Sequence, residues 1–226
     1  MNSLETLDPA EHGQLRLKRD WRAPNHFVRI VPSEFAAAAV ACPLFFSKHR
    51  DTGAFYPGAA LGLGPDDYLI DLPDGKPAFE SAEFIREGFY ATEDHISIDA
   101  DHPRFDKGDG ARLFDDGGVP AVALRRIQNA LRTLIQGTPE ADQFIAALLA
   151  HRLIEPVDID LRFDDGERLS LQGLFSISLD RLHRLDQTAL TSLFSAGHLQ
   201  LAYAMIGSLR QIDIFARRRN ARLTQM

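Results

Sequence analysis

The chain has a single cysteine, Cys42, among 226 residues, so no intrachain disulfide can form and a cysteine-rich zinc site is excluded. Long apolar runs are also missing. The longest, FAAAAVACPLFF from Phe35 to Phe46, has 12 residues, short of the roughly 20 that span a bilayer. The first residues, MNSLETLDPAEHGQ, carry acids where a secretory signal needs a basic start and an apolar stretch, so the expected location is cytoplasmic. Basic side chains are the minority, 25 against 32 acidic, and the net charge of −7 opposes a surface built mainly for nucleic acid or anionic lipid. No internal repeat of about 20–50 residues is visible, which argues against a solenoid or propeller.

Several motifs are absent. FYPGAALGLG at 55–64 gathers Gly58, Gly62 and Gly64, but Pro65, Asp66 and Asp67 follow where a phosphate loop needs lysine and a hydroxyl. The dinucleotide pattern and the helix that would receive a pyrophosphate are lacking too. GPDD is instead a turn, with FYPGAALGL and YLIDL as the strands of a hairpin and PDG at 73–75 as the next turn. The glycines then mark a bulge or a close packing contact. H-E-x-x-H, the EF-hand loop and G-x-S-x-G do not occur.

What is present reads as one α+β domain over 1–226. Hairpins dominate a strand- and turn-rich part at 1–118, and helices a part at 119–226 that includes a β-hairpin at 157–175. HFVRIVP at 26–32 is strand-like, Ser33 is a candidate cap for the helix EFAAAAVA that Pro43 ends, and LFFS follows as a strand. Residues 92–118 are acidic and turn-rich and read as a long loop. Beyond Pro120, Leu124, Ile127, Leu131, Leu134 and Ile135 share a helix face that Gly137 closes; Thr138 and Pro139 then restart the chain, predicting an αα-hairpin continued by Phe144, Ile145, Leu148 and Leu149. VDIDLRF alternates apolar and polar residues, DDG turns, and RLSLQGLFSI returns. Ser178 and Asp186 are candidate caps of two short helices, and GHLQLAYAMIGSLRQIDIFARRRN predicts one long final helix. Its stripe of Leu199, Ala202, Ile206, Leu209 and Phe215 suits either the core or a partner.

Candidate chemistry gathers at His95, Asp99, Asp101 and His102, beside Glu93 and Asp94. Imidazole with carboxylate suits a transition metal, or an acid and base in environments that differ; a solvated turn-rich loop is the plain alternative. Cys42, between Ala41 and Pro43, reads as a buried inert thiol. His198 and Tyr203 read as core or interface groups. Trp21 with Arg16, Lys18, Arg19 and Arg22 forms an aromatic-basic segment suited to a stacked ligand or a folded-back arm. Arg217, Arg218, Arg219 and Arg222 crowd a helix C-terminus, where they complement the helix dipole or meet an acidic partner or nucleic acid.

IVPSEF at 30–35, PLFFSKHRDTGAFYPGAALGL at 43–63, LFDDGGVP at 113–120, LQGLFSIS at 171–178 and LAYAMIGSLRQI at 201–212 together resemble the SapC family of bacterial proteins, block by block along nearly the whole chain. In FIREGFY, Gly88 stands where relatives carry proline, so the local backbone is expected to differ. The resemblance implies association with surface-layer proteins by name, and gene neighbourhoods with TonB-dependent receptors, halogenase-like enzymes and cupin-like proteins; it brings no catalytic residues. The expectation is a non-catalytic binding or accessory protein with a protein or peptide partner and no cofactor, self-association being open. The alternatives are an acid/base or metal-assisted enzyme using the 95–102 residues, and nucleic-acid binding through the terminal arginines.

Overall fold

A computed structural model describes residues 4–18, 21, 25–64, 67–72, 75–92, 95–106 and 108–223. The strands are β1 (Glu5–Thr6), β2 (Arg16–Leu17), β3 (Phe27–Arg29), β4 (Leu44–Lys48), β5 (Phe55–Ala60), β6 (Phe89–Ala91), β7 (Ile96–Ile98), β8 (Phe105–Asp106), β9 (Ala111–Arg112), β10 (Ile154–Arg162) and β11 (Arg168–Ile177). The α-helices are α1 (Pro9–His12), α2 (Phe35–Ala39), α3 (Ala82–Ile85), α4 (Val122–Ala150), α5 (Leu179–His183), α6 (Gln187–Ser195), α7 (His198–Ser208) and α8 (Gln211–Leu223). The fold is α+β. Its contacts gather into two compact units, Met1–Ala23 with Ala82–Ile135, and Pro24–Ser81 with Gln136–Met226, a division that does not fall at the 118/119 change from strand-rich to helical sequence.

The first unit holds two small antiparallel sheets, β1-β7-β6 and β8-β2-β9. The stretch 92–118, expected as a loop, thus supplies three strands: β7 at the centre of the first sheet, and β8 and β9 as both edges of the second. Strands of two or three residues leave no period to read; what pins them is burial of Phe89, Ile98, Phe105, Leu113 and Phe114 with Leu124, Ile127 and Leu131 of α4. Fully burying such side chains contributes about 1.5–3 kcal/mol each.

The second unit is built on a five-stranded sheet, β10-β11-β4-β5-β3. Along β4, Leu44 and Phe46 enter a large core with Phe35, Phe144, Met205 and Phe215, while Phe45 between them enters a smaller one with Ala60 and Ile159. Alternate residues of a strand point to opposite faces, so both faces are covered here, and the unbroken LFF run follows. The β10–β11 hairpin pairs Ile154↔Ile177 through Arg162↔Arg168, with a register shift between Val157 and Ile159. Gly173, at φ +74°, supplies the left-handed residue that such a bulge uses.

Other expectations are corrected as well. β5 itself lies between β4 and β3, so the expected hairpin forms only at its turn end, where Gly62 bridges Tyr68 antiparallel and the Leu69 N–H donates to the Leu61 carbonyl (2.9 Å). Two of the three glycines are there for closeness: a β-carbon on Gly58 would strike the Phe27 ring, and one on Gly62 the Asp67 carbonyl, whereas one on Gly64 would meet nothing within 4 Å. Pro65, Asp66, Pro73 and Asp74 of the expected turns lie outside the described residues. Ser33 is not a cap but sits inside a 3-10 turn, Pro32–Glu34, where the Glu34 carboxylate accepts from the Val31 N–H (2.9 Å).

The expected αα-hairpin is one helix, α4, with Pro139 inside it. The buried positions keep helical phase through the Gly-Thr-Pro breaker, from Leu131 to Gly137, Ala141, Phe144 and Leu148, whereas Ile135 is 60% exposed. A β-carbon on Gly137 would lie 2.6 Å from Cβ of the buried Val31, so the glycine admits a neighbour and does not end the helix. The expected final helix is two, α7 and α8. Buried Ser208 accepts the Leu44 N–H at its Oγ (2.8 Å) and donates to the Met205 carbonyl (2.6 Å), and the Gly207-Ser208 pair marks the break. Ala202 and Phe215 of the stripe are buried, and Leu199, Ile206 and Leu209 pack against the cores.

Candidate functional site

The first unit brings two of the four loop candidates together and separates the others. His95 is exposed, and its carbonyl accepts from the N–H and hydroxyl of Thr92 (2.9 and 2.8 Å), closing the β6–β7 turn. Asp101 is also exposed; Glu93 and Asp94 lie outside the described residues. Asp99 and His102 sit on a turn after β7, where the Asp99 N–H donates to the Gly88 carbonyl and the His102 N–H to the Asp99 carbonyl (both 3.0 Å). Asp99 is 6% exposed. Among the described residues no group of three or more His, Cys, Asp or Glu is placed to hold a metal ion.

His102 instead joins residues from elsewhere in the sequence. Its Nδ1 accepts the Arg104 backbone N–H (3.3 Å), which leaves the ring proton on Nε2. That nitrogen stands 3.9 Å from Glu87 Oε1, and Glu87 Oε2 accepts from Trp21 Nε1 (2.9 Å). The Trp21 ring meets the imidazole edge-on, centroids 5.5 Å apart. Burial holds His102 below the ordinary imidazole pKa; Glu87 works against this, Arg104 adds to it, and Asp99 opposes it. A neutral imidazole whose lone pair is taken by a backbone N–H has no basic nitrogen to offer a substrate.

Arg104, buried at 8% exposure, donates through Nη1 to the carbonyls of Ile85 (3.0 Å) and Glu87 and lies over the Phe89 ring, 5.8 Å from its centroid. Burial lowers its pKa to about 10, with Glu87 opposing, so it remains a cation at neutral pH. Gly88 turns the chain between α3 and β6 at φ +78°, a left-handed conformation that proline, fixed near −65°, cannot adopt. A β-carbon at Gly88 would lie 3.2 Å from the His102 ring. Residue type alone points to Trp21, Asp99 and His102; Glu87 and Arg104 carry no such signal, and near them only Gly88 points to this turn. Arg19 and Arg22 of the aromatic-basic segment lie outside the described residues.

The second unit puts most of the terminal arginines to internal use. Arg218 donates to the Leu69 carbonyl. Arg219 pairs with Glu167 (2.6 Å) and Asp67 (3.5 Å) and lies over the Phe163 ring at 4.3 Å. Arg222 reaches Asp67 (3.3 Å) and the Tyr68 carbonyl. Arg217 is exposed. Cys42 is buried, donates to the Ala38 carbonyl (3.3 Å), and its thiol is raised to about 12 by burial, leaving no thiolate at neutral pH. His198 packs on Phe144, centroids 5.5 Å apart, with its Nδ1 buried and without a hydrogen-bond partner among the described residues.

No described helix is long and apolar enough to cross a membrane. No curated protein and no solved structure is significantly similar to the chain. The SapC family model matches residues 7–214, taking in both units and the Trp21–Glu87–His102–Arg104 cluster, and the chain belongs to the SapC family.

Proposed function

We propose that the chain is a non-catalytic binding or accessory protein that works with a protein or peptide partner, in a cytoplasmic step of the surface-protein, nutrient-uptake or halogenase-associated kind that its family resemblance implies. The observation that carries this reading is a contrast. The side chains best suited to chemistry are spent on the chain's own backbone and ion pairs: Arg104, Arg218 and Arg222 on carbonyls, the His102 lone pair on an N–H, Cys42 on Ala38. Large apolar side chains meanwhile stand in solvent. Val40 at the end of α2 is 76% exposed, Phe194 on α6 is 74% exposed and Tyr203 on α7 is 49% exposed; α2 and α6 both pack on α7. Exposed aromatics of this kind are what protein interfaces are rich in.

The test is reconstitution. A partner captured by crosslinking is purified and titrated against the chain by calorimetry, with an expected Kd of about 10 μM or tighter. Phe194→Asp with Val40→Asp should abolish binding, while His102→Ala with Glu87→Gln leaves it intact. Absence of any binary complex, together with a turnover reaction lost in the His102→Ala chain, would reverse the reading in favour of an acid/base enzyme.

A further inference from the structure

The first unit contains a pocket of about 340 Å³ whose lining includes Pro9, Gly13, Arg16, Arg112, Phe114 and Asp116. That volume sits at the small end of ligand sites. The antiparallel register of β2 and β9 sets Arg16 directly opposite Arg112. Residues so paired share a face and approach closely, and like charges there repel. Two arginines from directly opposed positions on one pocket wall are more favourable when an anion lies between them.

Both arginines are prepared for one. Arg16 Nη1 donates to the Gly13 and Leu15 carbonyls (2.8 and 3.0 Å), which fixes the group while leaving three of the five N–H donors of a guanidinium outside these bonds. Arg112 Nη1 holds the Asp116 carboxylate at 2.7 Å, with the two side chains 54% and 95% exposed. A carboxylate of the chain itself therefore already occupies Arg112, in a pairing so open to water that little is lost on replacing it. The other acids nearby are engaged by the backbone: Asp115, itself in the lining, accepts the Gly117 and Val119 N–H groups at Oδ1 (3.0 and 2.9 Å), and Asp106, opposite Arg16 on β8 and on the same face, accepts the Gly108 N–H at its Oδ1 (3.1 Å). Pro9 and Phe114 supply apolar wall.

We infer that this pocket binds a small organic carboxylate, a dicarboxylate of a few carbons fitting best, held by Arg16 and Arg112 in place of Asp116 with its carbon chain against Pro9 and Phe114. The inference stands on the pocket alone and does not depend on the proposed protein partner. The test is a titration of the full-length chain with succinate at low ionic strength, read from backbone amide resonances. Saturable shifts at residues 13–16 and 112–118 are expected, with a Kd on the order of 1 mM. Arg16→Gln and Arg112→Gln should each weaken binding about tenfold, because each removes charge-assisted bonds, and Asp116→Ala should tighten it about threefold by removing the internal competitor. Resonances remote from the pocket report whether each variant keeps its fold. No saturable shift up to about 20 mM succinate, binding undiminished in both arginine variants, or inorganic phosphate binding as tightly as succinate would overturn the assignment.

Discussion

Gly137→Ala is the sharpest perturbation of the fold, because two effects of known size oppose each other at one atom. In a helix interior alanine is favoured over glycine by about 0.8–1.0 kcal/mol, and Gly137 lies well inside α4. Its new methyl would stand 2.6, 2.7 and 3.1 Å from Cβ, Cγ2 and Cγ1 of Val31, a side chain with no exposed surface and hence no room to retreat. Overpacking of this kind costs about 1–3 kcal/mol, so the packing term wins and the expected net is a loss of about 0–2 kcal/mol. Val31→Ala alone should cost about 1.5–3 kcal/mol for two buried methyl groups. In the double variant the added methyl occupies space that Val31 vacates, and the two costs should fall short of their sum by at least about 1 kcal/mol. Urea unfolding at 25 °C followed by helical circular dichroism measures all three. A Gly137→Ala chain more stable than the parent by the full helix-propensity gain would refute the contact, and additive costs would show that Val31 and Gly137 do not meet.

Stability should fall on acidification through the histidines. Both His102 and His198 are lowered by burial, so the unfolded chain binds their protons first; stability is flat above the ordinary imidazole pKa of about 6.5 and declines from there toward the folded values. Unfolding curves between about pH 8 and 5.5 test this, a rise on acidification would contradict it, and His198→Gln should flatten part of the slope. Arg219→Ala should cost about 1–2 kcal/mol, mostly from its place over the buried Phe163 ring, and Arg219→Lys should restore part of it in the same assay. The Cys42 thiol, raised to about 12, should resist alkylation in the native chain at pH 8 and react in urea; rapid native labelling would contradict its burial.

How much of this could be read from the sequence depended on whether the deciding contact was local. The β10–β11 hairpin declares itself because alternation and the turn lie within one stretch. The Gly-Thr-Pro of α4 carries every local signal of a break, and what overrides it is Val31, far away in the chain. The split between α7 and α8 rests likewise on the Ser208 bond to Leu44, which no periodicity encodes. At the candidate site, residue type alone drew attention to Asp99 and His102, whereas Glu87 and Arg104 matter through backbone carbonyls and a turn at Gly88 that the alphabet of side chains does not display. The arginine pair across β2 and β9 is set by register between strands of two residues each, too short to predict.

On the proposed reading the His102 cluster serves the fold. The unfolding free energy of His102→Ala at pH 8, where the imidazole is neutral, tests it most directly. The account predicts a loss of about 1.5–3 kcal/mol, from the orphaned Arg104 N–H and the lost packing against Trp21 and Phe105. A chain as stable as the parent or more so, as happens when a residue held for function is removed, would contradict it.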